Sequence, residues 1–162
     1  MKDLPNAPDS LICPAERIFD VAAIDAQIAQ VVKGQTDPTE IRAAVVPILM
    51  QARKTGMAAI AEAFAKNPFA ARPTTRAYTW LTDCLVVTAK HISIRLVNPP
   101  GGPDERLALI AVGGYGRGEM ATFSDVDLLF LTPHKISDWA EGVIESMLYI
   151  LWDLRLKVGH AS

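Results

Sequence analysis

Between Val112 and Leu128 the chain sets out Gly113 and Gly114, ten further residues, and then Asp125 and Asp127. The glycine pair closes one apolar run and the aspartates open another. Glycine has no Cβ, so the amides of Gly113 and Gly114 can approach a phosphate chain closely. Residues two apart on a strand share a face. Asp125 and Asp127 therefore project together while Val126 and Leu128 turn into the core. Two ionised carboxylates so placed repel one another unless a divalent cation sits between them. Mg²⁺ takes a few carboxylates together with phosphate oxygens and water. Two such ions stabilise both the attacking and the leaving oxygen of an in-line displacement. Singly, each feature has an ordinary reading: a turn after a strand, or a solvated strand end capped by Ser124. The joint pattern is what points to metal-dependent nucleotidyl transfer.

These groups must be held by the elements around them. Ile18, Phe19, Val21, Ala22, Ile24, Ile28 and Val31 form a helical stripe from Glu16 to Val32, with Gly34 as its cap. Asp37-Pro38-Thr39-Glu40 predicts a helix start, with Asp37 accepting from the third helical amide and Pro38 at the first position. That helix runs towards Lys66, with an irregularity expected at Pro47, and Asn67-Pro68 stops it. Thr74 or Thr75 is expected to cap a third helix through about Leu96. Asn98 to Pro103 reads as a linker. Leu107 to Val112 and Val126 to Leu131 have strand length. Ser137 caps a helix carrying Trp139, Val143, Ile144, Met147, Leu148 and Leu151. Leu154, Leu156 and Val158 alternate with Arg155 and Lys157, which reads as a third strand. The expected organisation is a helical region over residues 1–97, a linker over 98–104 and a mixed α/β core over 105–162.

The 162 residues carry a net charge of −2 and are 50% hydrophobic, enough for a core at this size. No block of Lys or Arg marks a nucleic-acid footprint. Cys13 and Cys84 have no metal-ligand or redox spacing, and Cys84 reads as a buried hydrophobe. The first residues lack the apolar core of a signal peptide, and no run of about 18 apolar residues predicts a membrane span. The expectation is a cytoplasmic protein with no nucleic-acid or membrane partner.

The pattern of apolar-Gly-Gly, spacer and Asp-apolar-Asp-apolar is similar to the signature of the nucleotidyltransferase superfamily. More narrowly, Gly113-Gly114-Tyr115-Gly116-Arg117-Gly118-Glu119-Met120 with Phe123-Ser124-Asp125-Val126-Asp127-Leu128-Leu129 closely resembles the bifunctional uridylyltransferase/uridylyl-removing enzymes that modify the PII nitrogen-signalling protein. Leu151 to His160 also looks like that family. The resemblance is specific from about Leu107 to Ser162.

It implies an α+β fold: a helical segment followed by a polymerase-beta-like palm, a small mixed sheet with helices. It implies Mg²⁺-dependent transfer of UMP from UTP to a tyrosine of PII, releasing pyrophosphate. Asp125 and Asp127 would be catalytic and hold Mg²⁺, and Gly113, Gly114, Arg117 and Ser124 would bind the nucleotide. Asp153, placed where the third strand is expected to begin, is the candidate third catalytic carboxylate, with Arg155 on its face. Glu119 would brace the loop; Tyr115 would pack on the loop or the base; His160 has no partner pattern. The family also carries an HD phosphohydrolase domain and ACT domains, and none fits before Ser162. The expectation is therefore an N-terminal portion whose palm is incomplete at its C-terminus. Two rivals are an adenylyltransferase-like enzyme acting on glutamine synthetase and a non-catalytic module that binds a nucleotide or a partner.

Overall fold

The computed structural model describes residues 4–97, 102 and 105–162. Apart from Gly102, the linker expected over 98–104 lies outside the described residues. The first helix comes in two pieces, α1 (Ala15–Ile18) and α2 (Val21–Val32), rather than one. Asp20 is the reason. Its carboxylate accepts the Ala23 amide at 3.0 Å and starts a new helix, while Phe19 is extended and buried. Gly34 follows α2 at φ +78, a conformation that suits glycine.

Helix α3 (Pro38–Lys66) starts as expected, except that Asp37 accepts from Thr39, the second helical amide, at 2.8 Å. It runs through Pro47 without interruption. Val45 and Leu49, on either side of the proline, are fully buried, and that packing outweighs the one lost hydrogen bond. A side chain at Gly56 would strike the Ile18 carbonyl and Leu81, so the missing Cβ lets α3 pass close to α1 and the next helix.

Helix α4 (Ala71–Ile92) begins earlier than the threonines suggest. Thr74 lies inside the first turn, donating its hydroxyl to the Ala70 carbonyl at 2.7 Å, and Thr75 donates to Arg72 at 3.0 Å. Neither caps an amide; both spend their hydroxyls on local carbonyls. The helix continues as a π-helical turn, Ser93–Val97. Trp80, Leu81, Cys84, Leu85 and Ala89 are buried, which confirms Cys84 as a core residue.

The rest of the chain builds a three-stranded sheet in the order β1 (Ala108–Ala111), β2 (Val126–Leu131), β3 (Val158–Ala161). β1 and β2 are antiparallel, with Ile110 opposite Leu129. β2 and β3 are parallel, with Asp127 opposite Gly159, and α6 (Asp138–Asp153) is the crossover between them. Ser137 caps α6, its Oγ accepting the Ala140 amide at 3.2 Å. Val126, Leu128 and Phe130 are buried and join one continuous core with Leu85 and Ile92 of α4 and Met147 and Leu151 of α6. The alternate residues of β2, Asp127, Leu129 and Leu131, belong to the other face. The fold is thus α+β with a small mixed sheet. No helix among the described residues is long and apolar enough to cross a membrane.

The third strand is displaced from its expected place. Residues 154–157 close off α6 rather than begin a strand: Arg155 N–H donates to the Trp152 carbonyl at 2.9 Å and Leu156 N–H to the Leu151 carbonyl at 3.2 Å. This paired closure surrounds a left-handed residue, here Arg155 at φ +62. Leu154 is buried beneath the helix end. The alternation of Leu154, Leu156 and Val158 therefore records a helix stop followed by a strand start, not one strand.

Candidate functional site

The site grows from the junction of β1 and β2. Past the end of β1, Val112 N–H donates to the Asp127 carbonyl at 3.0 Å, tying the strand end to the backbone of the aspartate. Gly113 then takes φ +62, where a side chain is strained, and the chain folds into a single helical turn, α5 (Gly113–Gly116). Gly116 N–H closes the turn on the Val112 carbonyl at 2.9 Å, and Glu119 N–H closes on Gly114 at 2.9 Å. A Cβ on Gly116 would stand 2.5 Å from the Ala111 carbonyl oxygen, so glycine lets the turn lie against β1.

Asp127 is half-buried in β2, and its carboxylate fits between two glycines. A Cβ on Gly113 would lie 2.7 Å from Oδ2, and one on Gly159 would lie 2.5 Å from Oδ1. Two backbones from opposite sides of β2 thus form the walls around one carboxylate. No hydrogen bond or ion pair to the side-chain carboxylate of Asp127 or Asp125 occurs among the described residues. Asp125 is exposed and stands two residues earlier, immediately before the strand.

The loop between turn and strand is tied down from within and from the helices. Arg117 Nε and Glu119 Oε2 pair at 2.8 Å, both well exposed. Ser124 Oγ accepts the Ala121 amide at 2.8 Å while Ser124 N–H donates to the Ala121 carbonyl at 3.2 Å, closing a short turn just before Asp125. Met120 is buried and Phe123 is 84% exposed. Tyr115, buried, points into the helical layer and donates its hydroxyl to Asp83 Oδ1 on α4 at 2.7 Å. Burial pushes the Asp83 carboxyl above its ordinary value, with the Tyr115 hydrogen bond pulling the other way. Burial, reinforced by Asp83, also pushes the Tyr115 phenol upward. Five residues earlier on α4, the Tyr78 hydroxyl accepts from Thr122 at 3.1 Å.

The structure therefore brings Gly113 against the Asp127 carboxylate, with Gly114 next to it in the turn and Ser124 and Asp125 immediately before β2. It does not bring Asp153 to them as a strand residue. Asp153 is the last residue of α6, half-exposed, and faces Arg42 of α3 at 3.6 Å. No group of three or more His, Cys, Asp or Glu side chains suited to a metal occurs among the described residues. The premise for Asp153 was the strand start, and that start lies at Val158. Arg155 loses its proposed face for the same reason. His160 is exposed on β3. Two residues of the site were not singled out from the sequence. Gly159 carried a usable signal, a glycine inside a strand, which often marks close backbone approach. Asp83 carried only its being an acid in the apolar run of α4.

Comparison with curated proteins yields enzymes named bifunctional uridylyltransferase/uridylyl-removing enzyme. The chain is 59% identical over 147 residues to the one from Ruegeria pomeroyi, covering 90% of this chain and 16% of the relative. It is 50% identical over 156 residues to that of Cereibacter sphaeroides, covering 94% and 17%. It is 44% identical over 153 residues to that of Caulobacter vibrioides, covering 91% and 16%. The chain thus spans about one-sixth of the length of these relatives. No family model and no solved structure matches it.

Proposed function

The chain matches a segment of the bifunctional uridylyltransferase/uridylyl-removing enzymes, and from that premise we propose that it carries their uridylyl-transfer site on a nucleotidyltransferase palm. The reaction moves UMP from UTP to a tyrosine hydroxyl of the PII protein. The hydroxyl oxygen bonds to the α-phosphorus, the bond to the bridging oxygen breaks, pyrophosphate leaves, and the hydroxyl proton passes to solvent.

The observation that carries this reading is the Asp127 carboxylate, walled by Gly113 and Gly159 and left without a protein partner among the described residues. Nothing in the fold requires a bare acid there. With Asp125 it offers hard oxygen donors, and a Mg²⁺ ion asks for one or two carboxylates and takes its remaining ligands from phosphate and water. Mg²⁺, when bound, neutralises charge on the triphosphate and polarises the reacting phosphoryl group. Asp125 and Asp127 would hold it. The amides of Gly113 and Gly114 would face the triphosphate at close range, with no side chain in the way. The Ser124 hydroxyl, fixed by the Ala121 amide, keeps its proton for a phosphate oxygen. Arg117 would reach phosphate by exchanging its pairing with Glu119, and an exposed pair of this kind is weak enough to give way. Catalysis by such a site is mainly positioning and charge stabilisation.

The test is the intact mass of purified PII after incubation with the chain, Mg²⁺ and each nucleoside triphosphate in turn, with Asp127→Asn alongside. The expected result is one added uridylyl group from UTP alone and none with the variant. Transfer that survives in the variant, or that uses ATP in preference to UTP, overturns the assignment.

A further inference from the structure

The helical layer does more than cover the sheet: it holds the glycine turn by a side-chain tether. α5 is one turn long, far below the length at which a helix persists in water by itself. It contains three glycines, the residue whose backbone loses most freedom on ordering. Something outside the turn must fix it. Its remaining residue, Tyr115, is buried and spans to α4, where its hydroxyl meets Asp83 Oδ1 at 2.7 Å. The contact links residues 32 positions apart. A second link, Thr122 to Tyr78 at 3.1 Å, holds the far side of the same loop to the same helix. Tyr78 and Asp83 lie five residues apart, so α4 grips the loop at two heights.

We infer that Asp83 is a positioning residue, fixing the Gly113–Gly116 turn through Tyr115 in the geometry that faces the triphosphate. The inference deepens the uridylyl-transfer reading and rests on it for the identity of the ligand. A carboxylate makes a stronger acceptor for the phenol than a neutral group does. Partial burial there is unfavourable for the charged acid, as its raised pKa reflects. A half-buried acid whose carboxylate is spent on the Tyr115 hydroxyl fits a role in holding the turn rather than in stabilising the fold.

Two readouts on the same set of proteins test this: the parent chain, Asp83→Ala, Asp83→Asn and Tyr115→Phe. The first is amide hydrogen exchange over residues 113–119, compared with exchange in α3 and α6. The second is affinity for Mg²⁺–UTP, measured by calorimetry. In Asp83→Ala and Tyr115→Phe, exchange over 113–119 is expected to rise about tenfold while α3 and α6 stay protected, and UTP affinity to fall about tenfold. Asp83→Asn, which retains an acceptor for the phenol, should restore most of both. Unchanged exchange over 113–119 in Asp83→Ala overturns the inference, whatever the nucleotide result. A loosened turn with unchanged UTP affinity overturns it too, because the tether would then be structural only. Absence of UTP binding by the parent overturns the uridylyl-transfer reading alone, and exchange still decides the tether. Should Asp83→Ala fail to fold, Tyr115→Phe, which removes one oxygen, carries the comparison.

Discussion

Gly159 stands opposite Asp127 in the parallel pair of β2 and β3, and a methyl group on Gly159 would sit 2.5 Å from Asp127 Oδ1. The aspartate owes its position as much to this neighbour's missing side chain as to its own strand.

Gly159→Ala is therefore expected to separate activity from stability. The obstructing atom would be the end of a side chain that can rotate, so the strand need not move. Stability should change by less than about 1 kcal/mol, while Mg²⁺-dependent transfer falls at least about tenfold because the carboxylate is pushed off its position. Urea unfolding beside a transfer assay checks both halves. A full loss of folding, or full activity, would contradict the cradle.

Gly116→Ala should behave in the opposite way. Here the obstacle is backbone, the Ala111 carbonyl at 2.5 Å from the added Cβ, and β1 cannot yield without breaking its pairing with β2. A loss of about 1–3 kcal/mol is expected, read as a lower urea midpoint.

Arg155→Gly should stabilise the chain. Arg155 holds a left-handed conformation at the end of α6, a strain of about 1–2 kcal/mol for an L-residue. Part of that gain is offset by the freer unfolded chain that glycine brings. A net gain near ~1 kcal/mol corresponds to a rise of about 2–4 °C in Tm for a domain of this size.

The pH dependence of stability should carry the signature of Asp83. Its folded pKa lies above the ordinary carboxylate value of 3.8, so the unfolded state loses the proton first as pH rises. Its contribution to stability is fully present below that value and is lost as pH climbs through the raised one. Glu62, held low chiefly by Lys66, works with the opposite sign, so the comparison must be parent against Asp83→Asn. At neutral pH the variant is expected to be more stable than the parent, because the amide stays neutral where the half-buried aspartate must ionise. The difference should vanish below about pH 4. Denaturant midpoints at a series of pH values give the answer; a variant less stable at pH 7 would reverse the sign.

What could be read from the sequence was local. The apolar residues of β2, broken only by Asp127, deliver its bounds, and Ser137 and Asp37 act on amides within three residues of themselves. Where two local signals overlap, periodicity misleads. Asp20 interrupts a stripe whose apolar spacing runs on across it, and Arg155 sits in an alternation that spans a helix end and a strand start. The aspartate pair was legible because its chemistry is carried by neighbours in sequence. The tether from Asp83 was not, and at Gly159 only a glycine within a strand hinted at close approach; in both cases the partner, 32 residues away, is chosen by folding alone.

β2 is bonded along both edges, whereas β3, which supplies one wall around Asp127, is a four-residue strand paired on one side among the described residues. Short outer strands open at lower free energy than the strands they flank. β3 is therefore expected to release Gly159 before β2 gives up Asp127, with amide exchange over 158–161 faster than over 126–131 as the measurement that checks it. The wall around the carboxylate is then expected to open at a lower temperature than the one at which the helices melt, read as a loss of Mg²⁺ affinity below the unfolding midpoint.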